Sequence, residues 1–534
     1  MEPTPEQQAA IDCEGNVVVT ARPGSGKTFT LARMIAKESS RLLSYQGVIA
    51  ISYTNKASDE LKDRCKRLGV ERKLSFFGTI DSFCMGQIVI PFVSHITHKP
   101  AILNLIEDKD SNPCTEWRSF NGRTMDDEEL KRFILRSFQD GDLPIEALGA
   151  AALLILEMVP QAAAFVKARY TAIFVDEYQD CGIYQHLLVK KLVAFGLRGV
   201  AVGDIDQAIF RYAGKSPDHL NEFLASSEFQ HFEITKNHRC DKAIQTYSLA
   251  LLGVRPEPIS CSDRRVFAVH INGDEDALAA GIREHLPRIM DKYGVNERRK
   301  VAIIGAGNKT LDRFACSISL PHKRFSGTPL DKGFSKWNRV FFSLLSEYYN
   351  PLRFIGHFLD DHLGSFAKPR KRIHGAALLE EYFSLSEEAL ADNIDLATSI
   401  VKLCEPESDD GDAVKAYKAV VENIETLRNG FKPASPDEVN ILTYHKAKGL
   451  EFDVVFCLET YRYIMPPYKF EEKNYDAYGQ ALCMHYVGIT RAKKVCYILL
   501  GTERHNAQGE LRDAAPSEFL DCPYLNDLRI NAKW

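Results

Sequence analysis

The sequence predicts an α/β protein with two lobes, each built on a parallel sheet and each interrupted by a mainly helical stretch. Three observations lead there. Short β-branched runs alternate with helical patterns in the first part of the chain: NVVVTA (Asn16–Ala21), VIAISY (48–53), AIFVDE (172–177) and GVAVGD (199–204). Such alternation sets parallel strands between layers of helices. The same signature recurs in FEITKN (232–237), VAIIG (Val301–Gly305), VNILTY (439–444), DVVFCL (453–458) and VCYILL (495–500), which predicts a second sheet. Two stretches without such runs, roughly 86–167 and 329–436, read as helical.

Composition bounds the class. A chain of 534 residues fits three or four domains, and 45% hydrophobic with 26% charged residues is ordinary for a globular protein. The formal net charge of −5 gives no global positive field, so contact with nucleic acid needs local basic grooves. Thirteen cysteines stand singly with no CxxC pair, which argues against a disulfide framework or zinc site and for a reducing cytoplasm. The start, MEPTPEQQ, is polar and acidic, so no secretory signal is expected. The apolar stretch AAALLILEMV (150–159) is broken by Glu157 and followed by Pro160, too short and too charged to span a bilayer. EPESDDGD (405–412) reads as a solvated acidic loop and KPRKR (368–372) as an exposed basic loop.

The chemistry-bearing motifs follow the predicted strands. ARPGSGKT (21–28) ends the first run and opens a helical pattern. Gly24 and Gly26 let backbone N–H groups close round phosphate oxygens at a helix N-terminus. Lys27 is placed to reach the β- and γ-phosphates, and the Thr28 hydroxyl to bind Mg²⁺. Ala21, Arg22, Pro23, Gly24, Ser25, Gly26, Lys27 and Thr28, with Phe29 next, thus form a candidate nucleotide site. Ala21 stands where the usual pattern has glycine, but its methyl group removes no donor.

DEYQD (176–180) ends another predicted strand. A carboxylate at a strand tip beside a phosphate loop can hold Mg²⁺, a role for Asp176, while Glu177 can orient or deprotonate a water. In GDIDQAIFRYAG (203–214) the Gln207 amide can touch both a γ-phosphate and a water. Phe210 and Tyr212 alternate in that loop and are either core or platforms for unpaired bases. KNHRC (236–240) and GITRAKK (488–494) offer Arg239 and Arg491. Each is a surface ion-pair residue or, across a cleft, a group that stabilises a phosphoryl transition state. TYHKAKGLEFD (443–453) joins two predicted strands as a cleft loop or an ordinary connection.

In this order the motifs resemble the superfamily 1 helicases of the UvrD, Rep and PcrA type, from TPEQQAAI near the start to YVGITRAKK. The resemblance implies two RecA-like P-loop lobes, each with a mainly helical insertion. It implies ATP or another NTP as substrate with Mg²⁺, single-stranded or end-containing DNA as partner, no membrane, and 3′→5′ movement. Residue by residue, it implies Gln7 at the adenine edge and Tyr53, Thr54 and Asn55 of SYTNKA on single-stranded DNA. Thr79 of GTIDSF contacts DNA phosphate, Asp176 holds Mg²⁺, Glu177 is the catalytic base and Gln207 senses the γ-phosphate. Phe210 and Tyr212 become stacking aromatics, Arg239 and Arg491 arginine fingers, Glu451 a ribose and coupling residue, and His445 a DNA contact.

Some positions depart from the family pattern. His238 stands where the family has a base-stacking tyrosine, and Phe29 where arginine is common. WRGA reads YAGK, with Ala213 in place of arginine, and EERRL reads QALCM (480–484). The layout implied is 1–86 and 167–231 for the first lobe (1A), 87–166 for its insertion (1B), 232–328 and 436–505 for the second lobe (2A), 329–435 for a reduced 2B-like insertion, and 506–534 for a C-terminal tail. FFGTIDSF followed by IVIPF, GTPLDKG (327–333), and YVGITRA without EERRL are similar to the helicase-like subunits of Gabija anti-phage systems. That similarity implies action at DNA ends and a hetero-oligomer with an OLD-family nuclease carrying a Toprim domain. A DNA-end-sensing NTPase that does not unwind, a stand-alone repair helicase, and a non-enzymatic subunit that binds nucleotide as a structural ligand are the competing readings.

Overall fold

The computed structural model describes residues 2–52, 55–99, 103–106, 111–207, 218–332, 335–351, 353–363, 368–406, 410–467, 475–506 and 508–534. The chain divides into two units: Met1–Gly294 with Ile304–Thr310 and Thr443–Trp534, and Val295–Ile303 with Leu311–Leu442. The architecture is mixed α/β on parallel sheets, as the sequence predicts.

The first unit opens with a six-stranded sheet: β1 (Asn16–Ala21), β2 (Gly47–Ile51), β3 (Phe76–Gly78), β4 (Tyr170–Val175), β5 (Arg198–Gly203) and β6 (Phe229–Ile234). The strand order is β3-β2-β4-β5-β1-β6, and every neighbouring pair is parallel. The central strands are buried on both faces, which is why they read as unbroken apolar runs. In open parallel sheets ligands collect beyond the carboxyl ends of the strands. Here β4, β5 and β1 lie side by side, so their three following loops share one edge.

Two expectations need correcting. FEITKN, expected in the second sheet, belongs to β6 and pairs with β1, Asn16 opposite Phe229 through to Ala21 opposite Ile234. The 231/232 boundary therefore falls inside a strand. Only Phe229 and Ile234 of β6 are buried, because it is an edge strand with one flank in water. The expected C-terminal tail is also structural. Arg529–Lys533 pairs in parallel with Val266–Ile271, and the Trp534 ring stacks on His285 at 4.3 Å. RINAK alternates polar and apolar, but five residues with a single β-branched side chain are too short a signal to name a strand.

Further parallel strands of the first unit run in the order Phe452–Cys457, Ala492–Gly501, Val266–Ile271 and Arg529–Lys533. The stretch between β3 and β4 is mainly helical. Its most apolar helix, Leu148–Met158, is buried from Leu148 to Leu156 and fills the core on one face of the sheet. None of the thirteen cysteines forms a disulfide.

The second unit holds the parallel pair His322–Arg324 and Val439–Thr443. Its helices include Lys336–Tyr348, Pro369–Ser384, Gly411–Val421 and Ile424–Phe431, packed round Trp337, Phe341, Tyr382 and Tyr417. KPRKR is not the expected loop. Lys368 caps the helix and Pro369 opens it, a position where the missing proline N–H costs nothing.

Candidate active site

The phosphate loop follows β1 in the geometry its glycines allow. Gly24 and Gly26 have φ of 75° and 85°, the left-handed region that favours glycine. Gly26 caps the helix Lys27–Ser39, and the buried Ser25 closes the turn by donating its N–H and hydroxyl to the Arg22 carbonyl. Pro23 is buried beside them. Lys27 Nζ lies 3.3 Å from the Ala21 carbonyl and 3.5 Å from Asp204 Oδ2. Phe29 receives the Arg33 guanidinium over its ring at 4.7 Å.

Motifs from elsewhere pack onto this loop. Gln7 is buried and donates from Nε2 to the Ser25 carbonyl at 2.8 Å. The His238 N–H donates to the Gly24 carbonyl at 2.8 Å, while its side chain is exposed. A Cβ built on Gly24 would lie 2.5 Å from Cβ of Arg239 and 2.7 Å from Oδ1 of Asn237. Gly24→Ala is therefore expected to push the KNHRC segment off the loop as well as straining the backbone by about 1–3 kcal/mol. Equilibrium binding of ATP should weaken at least tenfold, and unchanged binding would remove this packing from the site.

The carboxylates sit at the tips of β4 and β5. Thr28 Oγ1 donates to Asp176 Oδ2 at 3.2 Å, and Asp176 is buried. Burial, then the neighbouring Glu177 charge, pushes the Asp176 carboxyl up. Glu177 moves the other way: burial opposes its charge, but Lys27 and Lys448 hold the carboxylate well below the usual range. Glu177 has φ of 54°, an uncommon conformation for a non-glycine residue and frequent at functional sites. Gln179 fastens the two tips together. Its Nε2 donates to Glu177 at 2.5 Å and its Oε1 accepts the Asp204 N–H at 2.9 Å.

Arginines from two more motifs complete the constellation. Arg491 is 1% exposed and donates to Gln207 Oε1 at 3.1 Å, the Val487 carbonyl at 3.0 Å and the Leu450 carbonyl at 3.3 Å. Burial, then repulsion from Arg239, brings its pKa down to about 9. Gln207 donates in turn to Asp204 Oδ2 at 2.5 Å. Arg239 forms an ion pair with Glu451 at 2.9 Å, and Lys493 grips the other oxygen of Glu451.

Of the sequence-derived DNA contacts, Thr79 caps the helix Ile80–Phe83 at the carboxyl end of β3. His445 lies in the short helix Tyr444–Ala447. Tyr53, Thr54, Phe210 and Tyr212 lie outside the described residues, and Asn55 is described only as opening the helix Asn55–Arg67.

Three site residues escaped the sequence reading. Asp204 and Gln179 are two of them, and the third, Lys448, is the most consequential: it forms an ion pair with Asp180, lies 3.7 Å from Glu177 and donates to the Gln207 carbonyl at 3.0 Å. Its signal was present in HKAKGLEF, but a lysine in a glycine-containing loop is commonplace.

Residues 7–213 match an AAA domain family and residues 366–502 the UvrD-like helicase C-terminal domain. The chain is 22% identical to ATP-dependent DNA helicase PcrA of Bacillus subtilis, across 97% of this chain and 86% of that protein. It is 25% identical to ATP-dependent DNA helicase Rep of Escherichia coli, across 97% and 94%. A shorter stretch of 239 residues is 31% identical to Gabija protein GajB of Bacillus cereus, spanning 44% of this chain and less than half, 46%, of that protein. With both family matches in one chain and similarity that runs its whole length, the protein belongs to the UvrD-like superfamily 1 helicases.

Proposed function

We propose that the protein is a DNA-dependent ATPase that moves 3′→5′ on single-stranded DNA. The observation that carries this reading is the bond from Arg491 to Gln207, which joins a residue near the end of the chain to the tip of β5 beside the phosphate loop. In this reading the six-stranded sheet is the core of lobe 1A, and the strands Val266–Ile271, Phe452–Cys457 and Ala492–Gly501 belong to lobe 2A. The loop amides and Lys27 bind the phosphates, Gln207 and Glu177 orient the attacking water, and Glu177 takes its proton. Arg491 and Arg239 stabilise charge on the equatorial oxygens. Gln7 and His238 frame the base, and Glu451 the ribose, once it releases Arg239. Thr28 and Asp176 offer two hard oxygens side by side, a donor set that fits Mg²⁺. When bound there, Mg²⁺ neutralises charge on the β- and γ-phosphates. In this reading Tyr53, Thr54, Asn55, Thr79, Phe210, Tyr212 and His445 are the residues that contact DNA.

Strand displacement tests the reading. A 3′-tailed duplex should be opened in an ATP-dependent reaction and a 5′-tailed one should not. Glu177→Gln should lower DNA-stimulated hydrolysis by about 10²–10⁴-fold. Hydrolysis at DNA ends with no displaced strand would replace the helicase with an end-sensing NTPase, and normal hydrolysis in Glu177→Gln would sink the site assignment.

The similarity to the Gabija protein, at 31% identity, supports a more specific role in cytoplasmic anti-phage defence. There the chain is the helicase-type subunit of a hetero-oligomer with an OLD-family Toprim nuclease. Co-purification with such a nuclease from its own operon is the expected result; a lone monomer with full repair-helicase activity would favour a stand-alone enzyme.

A further inference from the structure

The second unit carries a cavity of about 320 Å³ beside the strand His322–Arg324 and the helix Ile424–Phe431. Its lining is cationic. His322, Lys323, Arg324, Arg428 and Lys432 face two carboxylates, Glu425 and Glu438. Arg428 and Lys432 are already engaged, gripping Glu387 at 2.5 and 3.0 Å.

Lys323 is different. It is 4% exposed, and its ammonium donates to the Arg428 carbonyl and forms no ion pair among the described residues. An ammonium has three donors, and a buried cation without a counter-charge is costly. Burial accordingly pushes Lys323 down to about 8. A structural lysine in a strand would point its amine to water or to a carboxylate. This one lines a cavity where five basic side chains outnumber two carboxylates; Glu438 and Glu387 offset its charge only in part, and an added anion would favour it further.

A second cavity of about 400 Å³ shares Lys432 and is walled by Tyr348, Tyr349 and Phe383. The Lys432 ammonium lies 5.9 Å from the centre of the Tyr349 ring. A cationic cavity and an aromatic one that share Lys432, with Glu387 also lining the second, match a phosphate chain attached to a flat ring, and each volume is within the usual range for small-molecule sites.

We propose that the cavity beside His322–Arg324 is a second phosphate-binding site, separate from the phosphate loop, which takes the polyphosphate chain of a small molecule on Lys323, Arg428 and Lys432. The test uses the full chain carrying Lys27→Ala to disable the loop, titrated calorimetrically with sodium tripolyphosphate. One site per chain should remain. Lys323→Met on that background should weaken it at least tenfold, as expected for lost charged hydrogen bonds. Arg428→Gln, at a half-exposed position, should weaken it severalfold, with the melting temperature controlling for the lost ion pair to Glu387. ATP binding tighter than tripolyphosphate, with the difference lost in Tyr349→Ala, identifies the ligand as a nucleotide; equal affinity identifies inorganic polyphosphate. No binding to the Lys27→Ala chain, or binding indifferent to both Lys323→Met and Arg428→Gln, overturns the proposal. So does a short DNA duplex that binds through Lys323 where tripolyphosphate does not. The unsubstituted chain should bind two equivalents; a single equivalent that survives Lys27→Ala would discredit the loop assignment and leave this site standing.

Discussion

Replacing Arg491 by alanine is expected to lower ATP turnover on DNA by about 10³-fold or more, the range for removal of an arginine finger, while nucleotide affinity changes only a few-fold. The geometry explains the asymmetry. The guanidinium is 1% exposed and fixed by the carbonyls of Val487 and Leu450 and by Gln207 Oε1, so it pays no ordering cost at the moment of reaction. It forms no direct ion pair among the described residues, and burial outweighs the pull of Glu177 and Asp204, so its charge is not fully neutralised. A transition state that spreads charge over the γ-phosphate supplies a further anion. Lysine should not rescue, because the guanidinium reaches the Val487 and Leu450 carbonyls and the Gln207 oxygen from three separate nitrogens, a spread that one ammonium nitrogen cannot reproduce. Steady-state kinetics at saturating single-stranded DNA check this. A raised KM with kcat unchanged would make Arg491 a ground-state binding residue instead, and the melting temperature controls for the carbonyls left without a donor.

Local features of this site were legible because their chemistry is local. The phosphate loop needs glycines at two left-handed positions and a strand before it, and Gly24, Gly26 and NVVVTA state that within a dozen residues. Likewise the acidic tip of β4 announces itself as DEYQD. Pairings across long stretches of chain were not legible. FEITKN has the strand pattern, but nothing in its spacing says that its partner is Asn16–Ala21 and not a later strand. RINAK alternates as a strand does, but over only five residues, and nothing in it names its partner Val266–His270. The reach of Lys448 to Asp180, across 268 positions, is a product of the fold, and so is the contact of Arg239 with Gly24, where the glycine's second reason for being there lies.

Lys448→Met should cost about 3–5 kcal/mol of apparent stability, the penalty for stripping the partner from a buried charge. Asp180 is 1% exposed and takes its ion pair from Lys448, with Glu177 close by on the same ammonium. The double variant with Asp180→Asn should recover much of the loss, since it removes the stranded charge; a double-mutant cycle on melting temperature measures the coupling. Catalysis gives the sharper readout. Burial works against the Glu177 charge, and Lys27 and Lys448 together hold that carboxyl low. Glu177 accepts a proton only when ionised, so raising its pKa moves the acidic limb of the kcat profile to higher pH. Lys448→Met should show that shift, and the Asp180→Asn change alone should not. An acidic limb that stays in place while stability falls would make Lys448 a brace for the DEYQD loop and no part of the proton's path.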